Sequence, residues 1–173
     1  MMKSKNKKIR LLMGAVLMTV GIVSLTGCGK KADQSGSTSA SAKEAEVISS
    51  GDNLVIPVGD ISEKASFYPV DVDGVSLEVV AVKASDGTIR TAFNTCQICY
   101  SSGRGYYEQS GDVLICQNCG NQFAMDHVEI ESGGCNPWPI FADDKTVDDD
   151  NISISYDFLK ESTGIFANWK AEY

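Results

Sequence analysis

Two C-x-x-C pairs constrain this chain more tightly than any other feature. Cys96 and Cys99 form the first pair and Cys116 and Cys119 the second, with sixteen residues between them. A tight turn lets two sulfurs in such a pair point into a common space while backbone N–H groups face them. Two turns of this kind, brought together by a hairpin, close a tetrahedron of sulfurs. The intervening residues suit a hairpin. Residues 105–109 and 112–115 are strand-like, and Ser110-Gly111-Asp112 supplies turn chemistry between them. Gly120 follows the second pair, where the chain needs a residue that tolerates positive φ. The spacing predicts one four-thiolate site shared by Cys96, Cys99, Cys116 and Cys119. It does not choose the metal. Zinc, a single iron, a two-iron cluster and a four-iron cluster all accept four thiolates.

The N-terminus reads as a targeting segment. Lys3, Lys5, Lys7, Lys8 and Arg10 form a basic stretch, residues 11–25 are apolar, and the run ends in Leu25-Thr26-Gly27-Cys28. The apolar run is too short and interrupted for a spanning helix. The pattern resembles the lipobox of bacterial lipoproteins, in which the cysteine is acylated and becomes the mature N-terminus. The alternatives are an ordinary signal peptide or an uncleaved anchor. All of them put the remainder outside the cytoplasm. Residues 1–28 are thus read as signal peptide, residues 29–46 as a flexible Ser/Ala/Gly-rich tether, and residues 47–173 as one cysteine-rich domain.

Charge and compartment narrow the chemistry. Loss of the leader takes five positive charges and no negative ones, so the net charge of −8 becomes −13. A surface this acidic argues against nucleic acid and against anionic lipid headgroups. Outside the cytoplasm thiols oxidise readily. The domain carries five cysteines, an odd number, so complete internal disulfide pairing is impossible. Ligation by metal protects thiolates, and the count favours it over a disulfide framework.

Hydrophobic alternation predicts a small, mainly β (α+β) domain: a β-meander that carries the two-knuckle metal hairpin, and a short C-terminal helix. Strands are expected at residues 53–58, 66–72, 75–83 and 88–94, with Asp-Gly turns between the later ones. Pro57 marks an edge strand. Residues 121–127 read as a short strand or a helical turn. Gly133-Gly134-Cys135-Asn136-Pro137-Trp138-Pro139 reads as an irregular loop that packs back on the knuckles. Residues 141–151 form an acidic loop without the central glycine or terminal glutamate of an EF-hand. Residues 152–155 suit a strand, 156–162 a helix ended by Gly164, and 165–169 a final strand.

Other side chains add options at the site. Cys135 is a fifth thiol that could be an extra ligand, replacing one of the four or helping a second metal, or could stay a buried free thiol or pair with a neighbour when metal is absent. His127 is the only histidine in the chain; imidazole binds zinc, copper and iron, though packing or surface roles are commoner at such a spacing. Met125 could favour copper(I), but single methionines mostly fill gaps. Tyr100, Tyr106, Tyr107 and Trp138 suit hydrophobic cover. No Ser-His-Asp set is apparent, and a Cys135–His127 nucleophile lacks an orienting group. A thioredoxin-like exchanger fits poorly, because both pairs lie between strands instead of opening a helix.

Taken together, D-G-T-I-R-T-A-F-N-T-C-Q-I-C-Y (residues 86–100), Gly105-Tyr106, C-Q-N-C-G (residues 116–120), Phe123 and G-G-C-N-P (residues 133–137) resemble the FtrD-like family. Its members are membrane-associated bacterial iron–sulfur proteins linked to iron transport. The similarity spans roughly residues 50–140. It implies an iron–sulfur cluster on Cys96, Cys99, Cys116 and Cys119, and electron transfer beside an iron permease or another redox partner. Backbone N–H donors to sulfur are expected from Gln97, Ile98, Gln117, Asn118 and Gly120. Some members carry transmembrane helices, whereas this chain reads as lipid-anchored at the cell membrane. The competing functions are a structural zinc ribbon in a binding lipoprotein, and a copper- or iron-delivery protein that uses Cys135, His127 and Met125. A redox carrier or metal-binding protein is favoured over an enzyme.

Overall fold

The structure is a computed structural model that describes residues 43–171. The leader, Cys28 and tether residues 29–42 lie outside the described residues. Among the described residues eleven strands occur in chain order: β1 (Glu46–Val47), β2 (Asn53–Pro57), β3 (Ser66–Val72), β4 (Val75–Lys83), β5 (Ile89–Cys96), β6 (Tyr107–Ser110), β7 (Val113–Cys116), β8 (Gln122–Ala124), β9 (Pro137–Pro139), β10 (Thr146–Val147) and β11 (Asn151–Ser155). One short helix follows, α1 (Tyr156–Glu161). The domain is mainly β, as its alternation predicts.

The strands form three sheets. The central one has the order β1-β3-β4-β5-β9, and the others are β10-β11-β2 and β6-β7-β8. Strands β3, β4 and β5 are the antiparallel meander, with Val72 paired to Val75 across a two-residue Asp73-Gly74 turn. β2 leaves the meander. It pairs instead with β11, from Asn53 opposite Ser155 to Pro57 opposite Asn151, and it is an edge strand as Pro57 requires.

β4 explains the layering. Its sequence loses polar alternation after Glu78, and residues 77–82 are buried on both faces. Leu77, Val79 and Ala81 join Leu54, Ile56, Ile152, Ile154, Leu159 and Phe93 in one core. Val80 and Val82 join Ala92, Tyr107, Leu114, Phe123, Met125 and the buried cysteines in a second. The central sheet is thus covered on one face by the β2–β11 sheet with α1, and on the other by the cysteine hairpin. A strand with both faces covered reads as a near-continuous apolar run for this reason.

Two expectations for the C-terminal half need correction. The last three residues of the 133–139 loop are not irregular. Pro137–Pro139 forms the edge strand β9, where missing N–H donors cost nothing on the outer side. The pairing shifts between Phe93–Trp138 and Cys96–Pro137, so β5 bulges at Asn94 and Thr95. Nor do residues 165–169 form a strand. After α1 the chain continues in a 3-10 turn over Ser162–Phe166, past Gly164. Phe166 and Trp169 lie three residues apart, and a helical turn places both on one side, ring edge to ring face with centroids 5.5 Å apart. A strand would split them between opposite faces. Phe166 also packs edge-on against Phe93 at 5.6 Å.

Candidate metal centre

Each knuckle grows from a strand end. Cys96 is the last residue of β5, and Cys116 the last of β7. In the first knuckle the Cys99 N–H donates to the Cys96 Sγ at 3.4 Å. A 3-10 turn over Tyr100–Ser102 follows. The Cys96 N–H donates to the Gly105 carbonyl at 2.6 Å, which folds the chain back on the knuckle. That return is so close that a Cβ on Gly105 would stand 2.5 Å from the Cys99 carbonyl carbon and oxygen. Only glycine fits there without displacing the turn. In the second knuckle the Gly120 N–H donates to the Cys116 carbonyl at 2.8 Å, with Gly120 at φ +74° as the turn demands. The β6–β7 ladder sets Tyr107 opposite Cys116. Gln117 N–H donates to the Tyr106 carbonyl at 2.8 Å, tying the second knuckle to the strand that follows the first.

All five cysteines of the domain meet here, and none is in a disulfide. Their sulfurs form two triangles, Cys96–Cys99–Cys135 and Cys99–Cys116–Cys119, each with mutual separations within 4.8 Å. Cys99 belongs to both. Cys96, Cys99 and Cys116 are buried, Cys119 is exposed and Cys135 is half-buried. The centre therefore has an inner side and an open edge.

Local contacts sort the thiols. Burial pushes Cys99 and Cys116 up to about 12. Cys135 is pushed up to about 11, first by its hydrogen bond with Cys119 and then by burial. Cys119 is held below the ordinary thiol value, chiefly by the Asn121 N–H. For Cys96 burial acts upward, but the Tyr107 hydroxyl and the N–H groups of Cys99 and Ile98 outweigh it and lower the thiol. Each knuckle thus offers one sulfur that favours the thiolate, the form that binds metal.

The expected N–H donors divide. Ile98 faces Cys96 and Asn118 faces Cys116. Gln97, Gln117 and Gly120 instead donate to the carbonyls of Asn136, Tyr106 and Cys116. Cys99, Cys119 and Asn121 take their place as donors to sulfur. Gly120 serves the turn and not the sulfur.

Tyr107 is more than cover. It is 2% exposed, its hydroxyl donates to the Cys135 carbonyl at 2.7 Å, and it lies against the Cys96 sulfur. Its backbone is held by Asn94, which accepts from Tyr107 N–H at 2.7 Å and donates to the Tyr107 carbonyl at 3.2 Å. Asn94 Nδ2 also donates to buried Glu78 at 2.5 Å. The β5 bulge aims Asn94 at these partners, a signal that strand periodicity alone does not carry. His127 stands in neither sulfur triangle. It is half-exposed, with Nδ1 3.1 Å from Glu131 and its ring edge-on to Phe123. Met125 is buried in the core beneath the hairpin. Tyr100 meets Trp138 edge to face at 6.0 Å beside the first knuckle.

A model of the family described as membrane iron–sulfur containing protein FtrD-like matches residues 61–166. The chain belongs to this FtrD-like family. The matched span holds every cysteine of the centre. No curated protein matches the chain. Among solved structures, a crystal structure of the quaternary ammonium Rieske monooxygenase CntA in complex with an inhibitor matches at 16% identity with a TM-score of 0.39. The match covers 62% of the FtrD-like chain and 32% of the monooxygenase, about a third of its length.

The residues present fit an iron–sulfur group. Five thiols free of disulfides converge, two of them lowered by N–H or O–H donors, in a layer of apolar side chains. No helix among the described residues is long and apolar enough to cross a membrane.

Proposed function

We propose that this FtrD-like chain is a lipid-anchored, extracytoplasmic iron–sulfur protein that passes electrons in the service of membrane iron transport. Cys96, Cys99, Cys116 and Cys119 would hold the cluster. When bound, such a group accepts and releases single electrons. The observation that carries the reading is the asymmetry of the centre: Cys96 and Cys116 are fully buried, while Cys119 is exposed. A redox group needs a dry, hydrogen-bonded side to set its potential and an accessible side to meet a partner.

The chain's own residues perform both tasks. Ile98 and Cys99 N–H groups and the Tyr107 hydroxyl face Cys96, and Asn118 and Cys119 N–H groups face Cys116. The N–H donors among them stabilise added negative charge on sulfur and so raise the potential. Exposed Ile98 and Tyr100 offer an apolar rim beside the first knuckle for a transient partner, an iron permease or a redox protein. The Leu25-Thr26-Gly27-Cys28 sequence and the family's membrane association support attachment through a lipid on Cys28. The acidic balance supports a function without nucleic acid.

Redox titration of oxygen-free protein tests the reading. A reversible one-electron transition in the visible spectrum is expected. A colourless protein with one zinc and no redox transition would replace this function with a structural zinc ribbon.

A further inference from the structure

The loop that carries Cys135 is pinned more heavily than a connector requires. The Cys135 carbonyl accepts from the Tyr107 hydroxyl at 2.7 Å and from Asn121 Nδ2 at 3.0 Å. The Asn136 carbonyl accepts from Gln97 N–H at 3.0 Å. The Gln97 side chain accepts from Gly133 N–H at 2.9 Å and donates to the Pro137 carbonyl at 3.0 Å. Gln97 lies inside the first C-x-x-C, and Asn121 just past the second. Both knuckles therefore hold this loop, and they hold it with a sulfur facing inward. The Cys135 thiol lies within 4.8 Å of both Cys96 and Cys99.

Cys119 occupies the matching place in the other triangle. It contacts Cys116 and Cys99, and it is the most exposed of the five. Cys119 and Cys135 thus flank the open edge, and each completes a triangle with the shared Cys99. Five thiols meet a group that takes four.

We propose that Cys135 is a metal-centre donor interchangeable with Cys119, so that the open corner of the cluster has two thiols competing for one iron. The inference rests on the iron–sulfur reading above and goes further, because the corner becomes exchangeable while Cys96, Cys99 and Cys116 stay fixed. Binding by one thiol releases the other, with the proton exchanged to solvent and no change in oxidation state.

The test uses the full chain, reconstituted without oxygen with ferrous iron and sulfide. Iron and acid-labile sulfide per chain and the EPR signal of the reduced protein are measured for Cys119→Ser, Cys135→Ser, the double variant and Cys96→Ser. Each single edge variant is expected to retain its cluster, with a shifted EPR signal in Cys119→Ser. The double variant is expected to retain about tenfold less, the lower end of what a lost interaction at a metal site costs. A cluster lost from Cys119→Ser as fully as from Cys96→Ser, with Cys135→Ser spectroscopically unchanged, would make Cys135 a bystander and overturn the proposal. Loss in Cys135→Ser alone would make it obligatory and overturn the interchange.

Alkylation of the loaded wild-type chain supplies a readout that does not depend on variants folding. One modification per chain, divided between Cys119 and Cys135, is expected. Modification confined to Cys135, or absent from both, contradicts the exchange. Wild-type protein that takes up no iron and sulfide at all would overturn the underlying reading as well, and that outcome is separate from any pattern among the variants.

Discussion

At the scale of single residues, Tyr107 is where strand, loop and centre meet. Its hydroxyl bonds the Cys135 carbonyl and faces Cys96, and its backbone is gripped by Asn94. Tyr107→Phe removes one buried hydrogen bond and nothing of the ring. The loss should cost about 1 kcal/mol of stability by denaturant unfolding. It should also shift the centre's potential, since a polar group beside the Cys96 sulfur is gone. An unchanged potential would mean that the hydroxyl serves only the loop. The four knuckle cysteines and Gly120 were legible in the sequence because they are local: spacing and turn chemistry lie within a few residues. Asn94, Gln97, Asn121 and Tyr107 were not legible as holders of Cys135. Their bonds span 13 to 40 residues and depend on how the hairpin lies on the sheet.

At the scale of elements, β4 divides the domain into two apolar layers, and only one contains the cysteines. Leu114 lies at 0% exposure beneath the centre, and Leu54 at 1% in the opposite layer. Truncating either to alanine should cost about 2–5 kcal/mol. The two should differ in metal retention. Leu114→Ala loosens β7 beside Cys116 and should lower the iron held per folded chain, whereas Leu54→Ala should leave it unchanged. Equal loss from both would mean that the layers are not separable. Strand periodicity revealed β3, whose residues are buried at every second position, and β4, whose apolar run is covered on both faces. It located β2 and its edge position but not its partner β11, which lies far along the chain, and it misjudged residues 165–169. There an apolar run of mixed spacing is settled by Phe93 and Asn94, whose carbonyl accepts from Trp169 Nε1 at 2.8 Å.

For the whole molecule, attachment and chemistry are separable claims. Cys28→Ser should move the protein from the membrane fraction to the soluble fraction, measured by fractionation of expressing cells, while iron content stays the same. Retention in the membrane would point to the uncleaved leader as anchor. The central claim is that the sulfurs of Cys96, Cys99, Cys116 and Cys119 hold iron and sulfide. Iron, zinc and acid-labile sulfide, determined together on protein purified without oxygen, test it most directly. Iron and sulfide in equal amounts, at about two or four per chain, are expected for a thiolate cluster. One zinc without sulfide, or metal-free protein with these cysteines joined as disulfides, would contradict it.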